Sequence, residues 1–450
     1  RKDRHLEDKP DTLADPNPRP SPNTSGNDLS RWAWTEPSVW TRSMLATLEH
    51  HRVRGGKWHS LIDKVYKRSN LEAAYRKVAA NKGAPGVDHV TIENFTTTLA
   101  RNLDKLEQQL RSGTYRPQEI RRVHIPKPGT RDTRPLGIPT VRDRVVQAAI
   151  RHVLEPILER QFAEHSYGFR PRRGCTDALR RVDWLIKEGY QYTVDVDLKS
   201  YFDTIPHDQL IRELRKYVAD NTLIQLVEKF LQARILDDMK SWTPESGAPQ
   251  GAIISPLLSN LYLNELDHSM AASNYEMTRY ADDLVIQCRT QEEAEQALAR
   301  VADWVARRGL TLHPTKTKIV HVDTDGFDFL GYHFIKHRRF PRQKSLTKFK
   351  EAIRSKTHRA NGQSLQAIIA DVNQTSRGWF GYFKHSWPTT FPRLDAWIRS
   401  RLRSILRRRA GRNGRGRGYD HQRYPNAYFA SLGLLSLTAA YDCERQSCRR

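Results

Sequence analysis

Two acidic residues stand side by side in RYADDLVIQC, residues 279–288, where Asp282 and Asp283 interrupt a run that otherwise suits a buried strand. Adjacent carboxylates raise each other's pKa and are costly in an apolar setting unless a cation neutralises them. A tight hairpin with both groups in water is the ordinary explanation, since Asp is a common turn former. A second acidic run, TVDVDLKSYFDTIPHD, holds Asp195, Asp197 and Asp203. On a strand, Asp195 and Asp197 face one side and Val194 and Val196 the other. If the two acidic strands pair, three carboxylates meet, the donor set of a two-metal phosphoryl-transfer site. There, two Mg²⁺ ions about 3.5–4 Å apart activate an attacking hydroxyl and stabilise the leaving oxygen. Mg²⁺, with Mn²⁺ as a substitute, takes hard oxygen ligands and completes its shell with substrate phosphate, which suits carboxylates beside a basic groove.

The elements that must position these groups follow from pattern. Between Arg121 and Tyr332, strand-like runs such as QYTVDVDL, MTRYADDLVIQC and TKIVHV alternate with helical stretches such as HDQLIRELRKYV and EEAEQALARVADWVARR. This predicts an α/β (α+β) body with a central sheet. Two or three helices fit residues 36–88, and residues 1–35, rich in Pro, Asn, Asp and Ser, read as a disordered tail. After about residue 345 the strand signal fades, and Leu394, Ile398, Leu402 and Ile405 recur at helical spacing among arginines.

Charge names the partner class. Lys plus Arg number 75 against 51 Asp plus Glu, a net +24, and residues 391–418 hold ten arginines against the single acid Asp395. Such a chain is attracted to a polyanion. No run reaches the length of a membrane span, no broad apolar anchor accompanies the arginines, and the first residues lack the apolar core of a secretory signal. Cys175, Cys288, Cys443 and Cys448 form no zinc-like double pair. Free thiols in a reducing cytoplasm are the expectation.

At this point the blocks resemble a family. RYADDLVIQC resembles the Tyr-Ala-Asp-Asp signature of reverse transcriptases, DVDLKSYFDTIPH their first catalytic strand, GAPQGAIISPLLSNLYLNELD the Pro-Gln-Gly segment and RRVHIPKPGTRDTRPLGIPTVRDRVVQ the basic fingers segment. SYGFRPRRGCTDAL, GLTLHPTKTKIV and FDFLGYHF match further blocks in order, and SRGWFGYFKHSW, the arginine helix after it and YPNAYFASLGLLSL resemble the maturase domain of group II intron-encoded proteins. The resemblance runs from roughly residue 36 to 437. It implies a right-hand polymerase with a helical extension and the start of the fingers over 36–120, fingers and palm over 121–340, a basic helical thumb and maturase domain over 341–440, and a tail over 441–450.

The resemblance also implies roles. Asp197, Asp282 and Asp283 would be the metal carboxylates, joined by the Leu198 carbonyl; Asp195 and Asp203 read better as a strand-end charge and a helix cap. Lys127 and Arg134 would hold the triphosphate, and Gln250 and Gly251 the template–nucleotide pair, where glycine admits a close backbone. Phe202, five residues after Asp197, would lie under the sugar and clash with a ribose 2′-hydroxyl; related RNA polymerases tend to have a carboxylate there. Lys316 resembles a general acid for pyrophosphate, and Phe329, Leu330 and Gly331 a primer grip, although a packed hairpin accounts for them nearly as well. Arg377, Lys384, Arg399, Arg401, Arg403, Arg407, Arg408 and Arg409 would track RNA backbone, while most nearby rings read as core.

The expected reaction is template-directed addition of deoxynucleoside triphosphates to a DNA primer on an RNA template, by an enzyme that also binds its group II intron RNA for splicing and for mobility into target DNA. A splicing-only RNA-binding cofactor is one alternative, and a relative recruited to phage defence or RNA-spacer acquisition is another. The Cys-rich His-Asn-His endonuclease domain of many relatives has no counterpart in these residues. That predicts dependence on a pre-existing primer, without protein-dependent second-strand cleavage.

Overall fold

The computed structural model describes residues 29–50, 56–126, 133–414, 416 and 418–447. The chain forms two compact units, residues 1–319 and 320–450. The first contains strands β1 (Ile120–Pro126), β2 (Thr133–Ile138), β3 (Tyr192–Asp197), β4 (Ile235–Asp237), β5 (Lys240–Trp242), β6 (Glu276–Tyr280) and β7 (Asp283–Cys288), and β8 (Lys318–His321) leads out of it. They make two four-stranded sheets, ordered β2-β1-β4-β5 and β6-β7-β3-β8.

The two acidic strands do pair. β3 runs antiparallel to β7 with Val194 opposite Ile286, Val196 opposite Leu284 and Asp197 opposite Asp283. Val194 and Val196 are buried while Asp195 and Asp197 stay partly exposed, so the period-two pattern sets the register. A one-residue slip would turn the carboxylates into the core. Behind the strands, the helix Ser255–Ala272 is largely buried and takes polar side chains in with it, Asn260, Asn264 and Asp267 among them. The helix Val141–Glu159 is likewise embedded and is capped by Thr140, whose Oγ1 accepts from the Asp143 amide at 3.3 Å.

The expected tail over residues 1–35 needs correction at its end. Leu29–Trp32 forms a short 3₁₀ helix, with Trp32 1% exposed. The Trp32 Nε1 donates to Glu49 Oε2 at 2.8 Å. One indole buries enough apolar area to order neighbours whose composition looks unstructured. Residues 1–28 lie outside the described residues.

Trp40 ties this N-terminal segment to the body, its Nε1 donating to the His152 carbonyl at 2.9 Å. The buried His152 ring meets Asn70 Oδ1 through Nδ1 at 2.8 Å, and burial lowers its pKa from 6.5 to about 4. The folded state therefore excludes a proton that the unfolded chain accepts. Stability is full above pH 6.5 and is lost as pH falls toward 4, by about 2 kcal/mol between pH 7 and 5. His152→Gln, which keeps a donor for Asn70 and does not titrate, should flatten that part of the profile. Chemical denaturation of both proteins at pH 7 and 5 checks this; equal losses on acidification would contradict it.

The second unit holds β9 (Phe327–Phe329), β10 (Tyr332–Ile335) and β11 (Arg338–Pro341) in the order β11-β10-β9, then helices Gln343–Lys356, Leu365–Phe383, Thr390–Arg409 and three shorter ones. Leu394, Ile398, Leu402 and Ile405 join Phe349, Ile353, Ile368 and Phe429 in its core. Asp395 is buried and accepts from the amides of Leu437 at 2.9 Å and Thr438 at 3.0 Å, capping the helix Leu437–Ser447. No helix among the described residues is long and apolar enough to cross a membrane.

Candidate active site

Tyr280 pairs with Asp283 across the β6–β7 ladder, which leaves Ala281 and Asp282 as a two-residue turn. Ala281 takes a φ of +57°, a left-handed conformation that costs a residue with a β-carbon. Gly168, of SYGF, passes directly beneath: a Cβ there would meet the Ala281 nitrogen at 2.2 Å. The hairpin and the carboxylate cluster are thus one device. The turn carries Asp282 while the ladder sets Asp283 opposite Asp197. Burial raises the Asp282 carboxyl pKa and Asp197 adds to the rise, while the charges of Arg134 and Arg279 oppose it.

The segment HPTKTK closes over the end of β3. The His313 amide donates to the Asp197 carbonyl at 2.8 Å, and Lys316 Nζ donates to Asp197 Oδ2 at 3.2 Å. Leu198 bridges Leu312 on the same side. Asp197, Asp282 and Asp283 offer hard oxygen donors from neighbouring strand ends, chemistry that fits a divalent cation. Among the described residues, there is no group of three His, Cys, Asp or Glu side chains placed to hold a metal ion. Mg²⁺ held by one or two carboxylates plus water and substrate phosphate needs no such group.

A groove of about 600 Å³ is lined by residues that include Arg122, Gly137, Phe202, Asp203, Trp242 and Gln250, and none of Asp197, Asp282 and Asp283 lines it. Phe202 is half-buried and packs edge-on against Tyr201, centroids 5.4 Å apart. Its carbonyl accepts from the Ala248 amide at 2.7 Å, and a Cβ on Gly247 would meet that carbonyl at 2.9 Å. The loop before Gln250 therefore buttresses the Phe202 backbone. Gln250 O accepts from the Gly137 amide at 2.6 Å, and Gly251, at φ +108°, would drive a Cβ to 2.3 Å from the Gly137 carbonyl. The close approach that demands this glycine is to β2 of the protein itself. Arg134 is exposed on β2, opposite Ile125. Lys127 lies outside the described residues.

Sequence reasoning passed over Gly137, Gly168 and Arg122. Each lies inside a block already noted, but nothing local marks it. Arg122 stacks over Trp242 at 4.9 Å, and its charge opposes the rise that burial imposes on the Asp203 carboxyl.

A family model described as reverse transcriptase (RNA-dependent DNA polymerase) matches residues 125–334, and one described as the group II intron maturase-specific domain matches residues 346–424. YkfC of Escherichia coli (strain K12) is 33% identical over 351 residues, covering 69% of this chain and 87% of YkfC. The chain belongs to the group II intron reverse transcriptase/maturase family. The group II intron-encoded protein LtrA of Lactococcus lactis subsp. cremoris is 41% identical over 196 residues, 43% of this chain but 32% of LtrA. Among solved structures, a partial Cas6-RT-Cas1–Cas2 complex aligns at 23% identity and a TM-score of 0.36, over 55% of this chain and 42% of that one. The maturase is an RNA-directed DNA polymerase, of a class that works with divalent metal ions, and it carries the maturase-specific domain of proteins that assist intron splicing and mobility.

The second unit of this maturase revises several expectations. Phe329 is 3% exposed and packs inside, and Leu330 (φ +46°) and Gly331 (φ +85°) form the turn between Phe329 and Tyr332. The Leu330 carbonyl accepts from the Tyr382 hydroxyl at 2.6 Å and the Gly331 carbonyl from the Arg342 amide at 2.9 Å. Of this trio, Phe329 is a core ring.

Three of the expected RNA-binding arginines are committed to the fold. Arg403, 3% exposed, donates to the Tyr424 carbonyl and Asn426 Oδ1, both at 2.9 Å. Arg407 pairs with buried Asp420 at 2.6 Å, and Arg401 donates to the Thr357 carbonyl at 2.7 Å. Lys384 pairs with Glu444, and Arg399 is half-buried. A guanidinium has five donors, so it satisfies loop carbonyls as readily as phosphates, and spacing along a helix cannot distinguish the two. Arg377, Arg408 and Arg409 remain exposed, although Arg408 donates to Asn413 Oδ1 at 2.5 Å and Arg409 to the Asn361 carbonyl at 3.3 Å and to the Gln363 carbonyl. Changing those three to Gln should lower the salt slope of RNA binding by up to about 0.7–0.9 per lost contact with little change in melting temperature. Arg403→Gln should lower the melting temperature and leave the slope alone. Binding across salt concentrations, beside thermal melts, separates the two; a reduced slope in a stable Arg403→Gln protein would return that residue to the RNA surface.

Proposed function

We propose that this maturase copies its group II intron RNA into DNA from a primer 3′-hydroxyl by two-Mg²⁺ phosphoryl transfer, and that it binds the same RNA to help it splice and enter target DNA. The observation that carries the reading is the antiparallel register that sets Asp197 opposite Asp283, with Asp282 on the adjoining turn. Those three carboxylates and the Leu198 carbonyl would hold the metal. When bound, the ions supply Lewis acidity for the attacking hydroxyl and the leaving pyrophosphate.

The chain's own groups do the rest. Arg134, whose charge acts on the Asp282 carboxyl, neutralises triphosphate charge, and Lys127 shares that role. Phe202 lies under the incoming sugar and excludes a 2′-hydroxyl. Gln250 and Gly251 support the template–nucleotide pair from a loop locked to Gly137. Lys316, which donates to Asp197 Oδ2, would hand a proton to departing pyrophosphate. Leu330 and Gly331 meet the primer, and exposed arginines of the second unit hold intron RNA. Residues 121–340 serve as fingers and palm, residues 341–440 as thumb and maturase domain. The setting is a bacterial cytoplasm, with the nucleoid as the DNA source.

The test is one preparation given an RNA template annealed to a DNA primer, and separately the precursor intron RNA. Labelled deoxynucleotide incorporation together with faster splicing is the expected result. Faster splicing without incorporation would leave only an RNA-binding splicing cofactor.

A further inference from the structure

Arg279 sits on β6 three residues before Asp282 of the turn, and its side chain is fully buried at 0% exposure. Its Nε donates to Asp267 Oδ1 at 2.7 Å, and Nη2 closes the fork on Asp267 Oδ2. Nη1 donates both to Asn260 Oδ1 and to the Ala281 carbonyl, each at 2.9 Å. Asn260 in turn donates from Nδ2 to the Gly168 carbonyl at 2.7 Å. Asp267 and Asn260 both belong to the helix Ser255–Ala272.

Stability alone does not account for such a group. A buried ion pair can often be replaced by apolar residues of similar volume at no loss, because desolvation offsets its Coulomb gain. What apolar residues cannot do is hold a carbonyl. The Ala281 carbonyl belongs to the peptide that leads into Asp282, so fixing it fixes the direction in which Asp282 leaves the turn. The turn also needs holding, since the left-handed φ of Ala281 persists only where the surroundings over-determine it. Two restraints act from opposite sides: the backbone at Gly168, in contact beneath, and the Arg279 guanidinium, aimed by Asp267. Asn260 joins them by bonding to both.

We infer that Arg279 is a positioning residue for the Asp282 carboxylate, with Asp267 and Asn260 as the brace that transmits the rigidity of the Ser255–Ala272 helix to the catalytic turn. The inference rests on Asp282 being a metal carboxylate. Arg279 touches neither substrate nor metal; it restricts where Asp282 can be when the metal arrives.

The experiment compares the parent protein with Arg279→Met/Asp267→Leu, which removes both buried charges together, and with Asn260→Ala, which keeps the ion pair and cuts two bonds of the brace. Each is measured for melting temperature, RNA affinity, kcat and KM for deoxynucleotides on an RNA template, and the Mg²⁺ concentration giving half-maximal rate. For the double variant we expect unchanged RNA affinity, a kcat lower by about 100-fold and a Mg²⁺ midpoint raised at least about threefold, since a misplacement near 1 Å costs that order in rate. Asn260→Ala should move kcat and the Mg²⁺ midpoint in the same direction by a smaller factor. A folded double variant with kcat near the parent value, or a lower kcat without a shifted Mg²⁺ midpoint, overturns the inference. Should the double variant fail to fold, Asn260→Ala decides by the same two readouts. Asp282→Asn in parallel tells the two readings apart: undiminished synthesis there defeats the metal assignment, whereas dependence on Asp282 with indifference to the brace defeats only the positioning role.

Discussion

Asp282→Asn is expected to lower primer extension by at least about 10³-fold, a barrier increase near 4 kcal/mol, while RNA affinity stays within about twofold. The amide is nearly isosteric and loses the anionic oxygen that a hard cation requires. The hairpin should survive, because the strain of the turn sits at Ala281 and Asn is itself a good turn residue. The melting temperature supplies an internal control. Burial and the neighbouring Asp197 both raise the Asp282 carboxyl pKa, so the fold holds the ionised group at a cost. Removing that charge should leave the melting temperature unchanged or raise it. Lost extension with a raised melting temperature therefore means lost chemistry. Extension at the parent rate would remove Asp282 from the metal site.

Phe202→Val is expected to narrow the preference for deoxy- over ribonucleotides by on the order of 10–100-fold, the range available to one steric contact in a shaped pocket. The ring cannot simply relax to fill the space. Its backbone is held by the Ala248 amide at 2.7 Å and crowded by Gly247, and Tyr201 beside it is buried. Removing ring atoms thus opens the groove where a 2′-hydroxyl would lie. The measurement is kcat/KM for matched ribo- and deoxynucleoside triphosphates on one RNA template. If the two fall together and their ratio holds, Phe202 is a packing residue and selectivity has another source.

Much of this maturase was legible in its sequence because the relevant signals are local. Carboxylates spaced by two across buried valines declare which face of β3 is wet, and the same period-two logic sets its register against β7. Leu394, Ile398, Leu402 and Ile405 declare the buried stripe of an arginine-rich helix by their spacing alone. An ordered series of short blocks identified the fold, since no single block could arise in that order for packing reasons.

Only the tertiary structure decided which charged groups face solvent and which serve the fold. Arg403 and Arg407 look like their neighbours on the helix, yet their partners, Tyr424, Asn426 and Asp420, arrive from a later loop and short helices. Arg279 adjoins the acidic signature, and its meaning depends on Asp267 and Asn260, contributed by a different helix. Gly168 and Gly251 are two glycines among 24, and only a neighbouring backbone at 2.2 or 2.3 Å shows why no other residue fits. Trp32 ordered a segment whose composition argued for disorder. For the arginines and the tryptophan, the side chain's chemistry permits two partners of similar strength, a phosphate or a carbonyl, water or a core. Residue type and spacing set which face a group occupies; the long-range fold sets what stands opposite it.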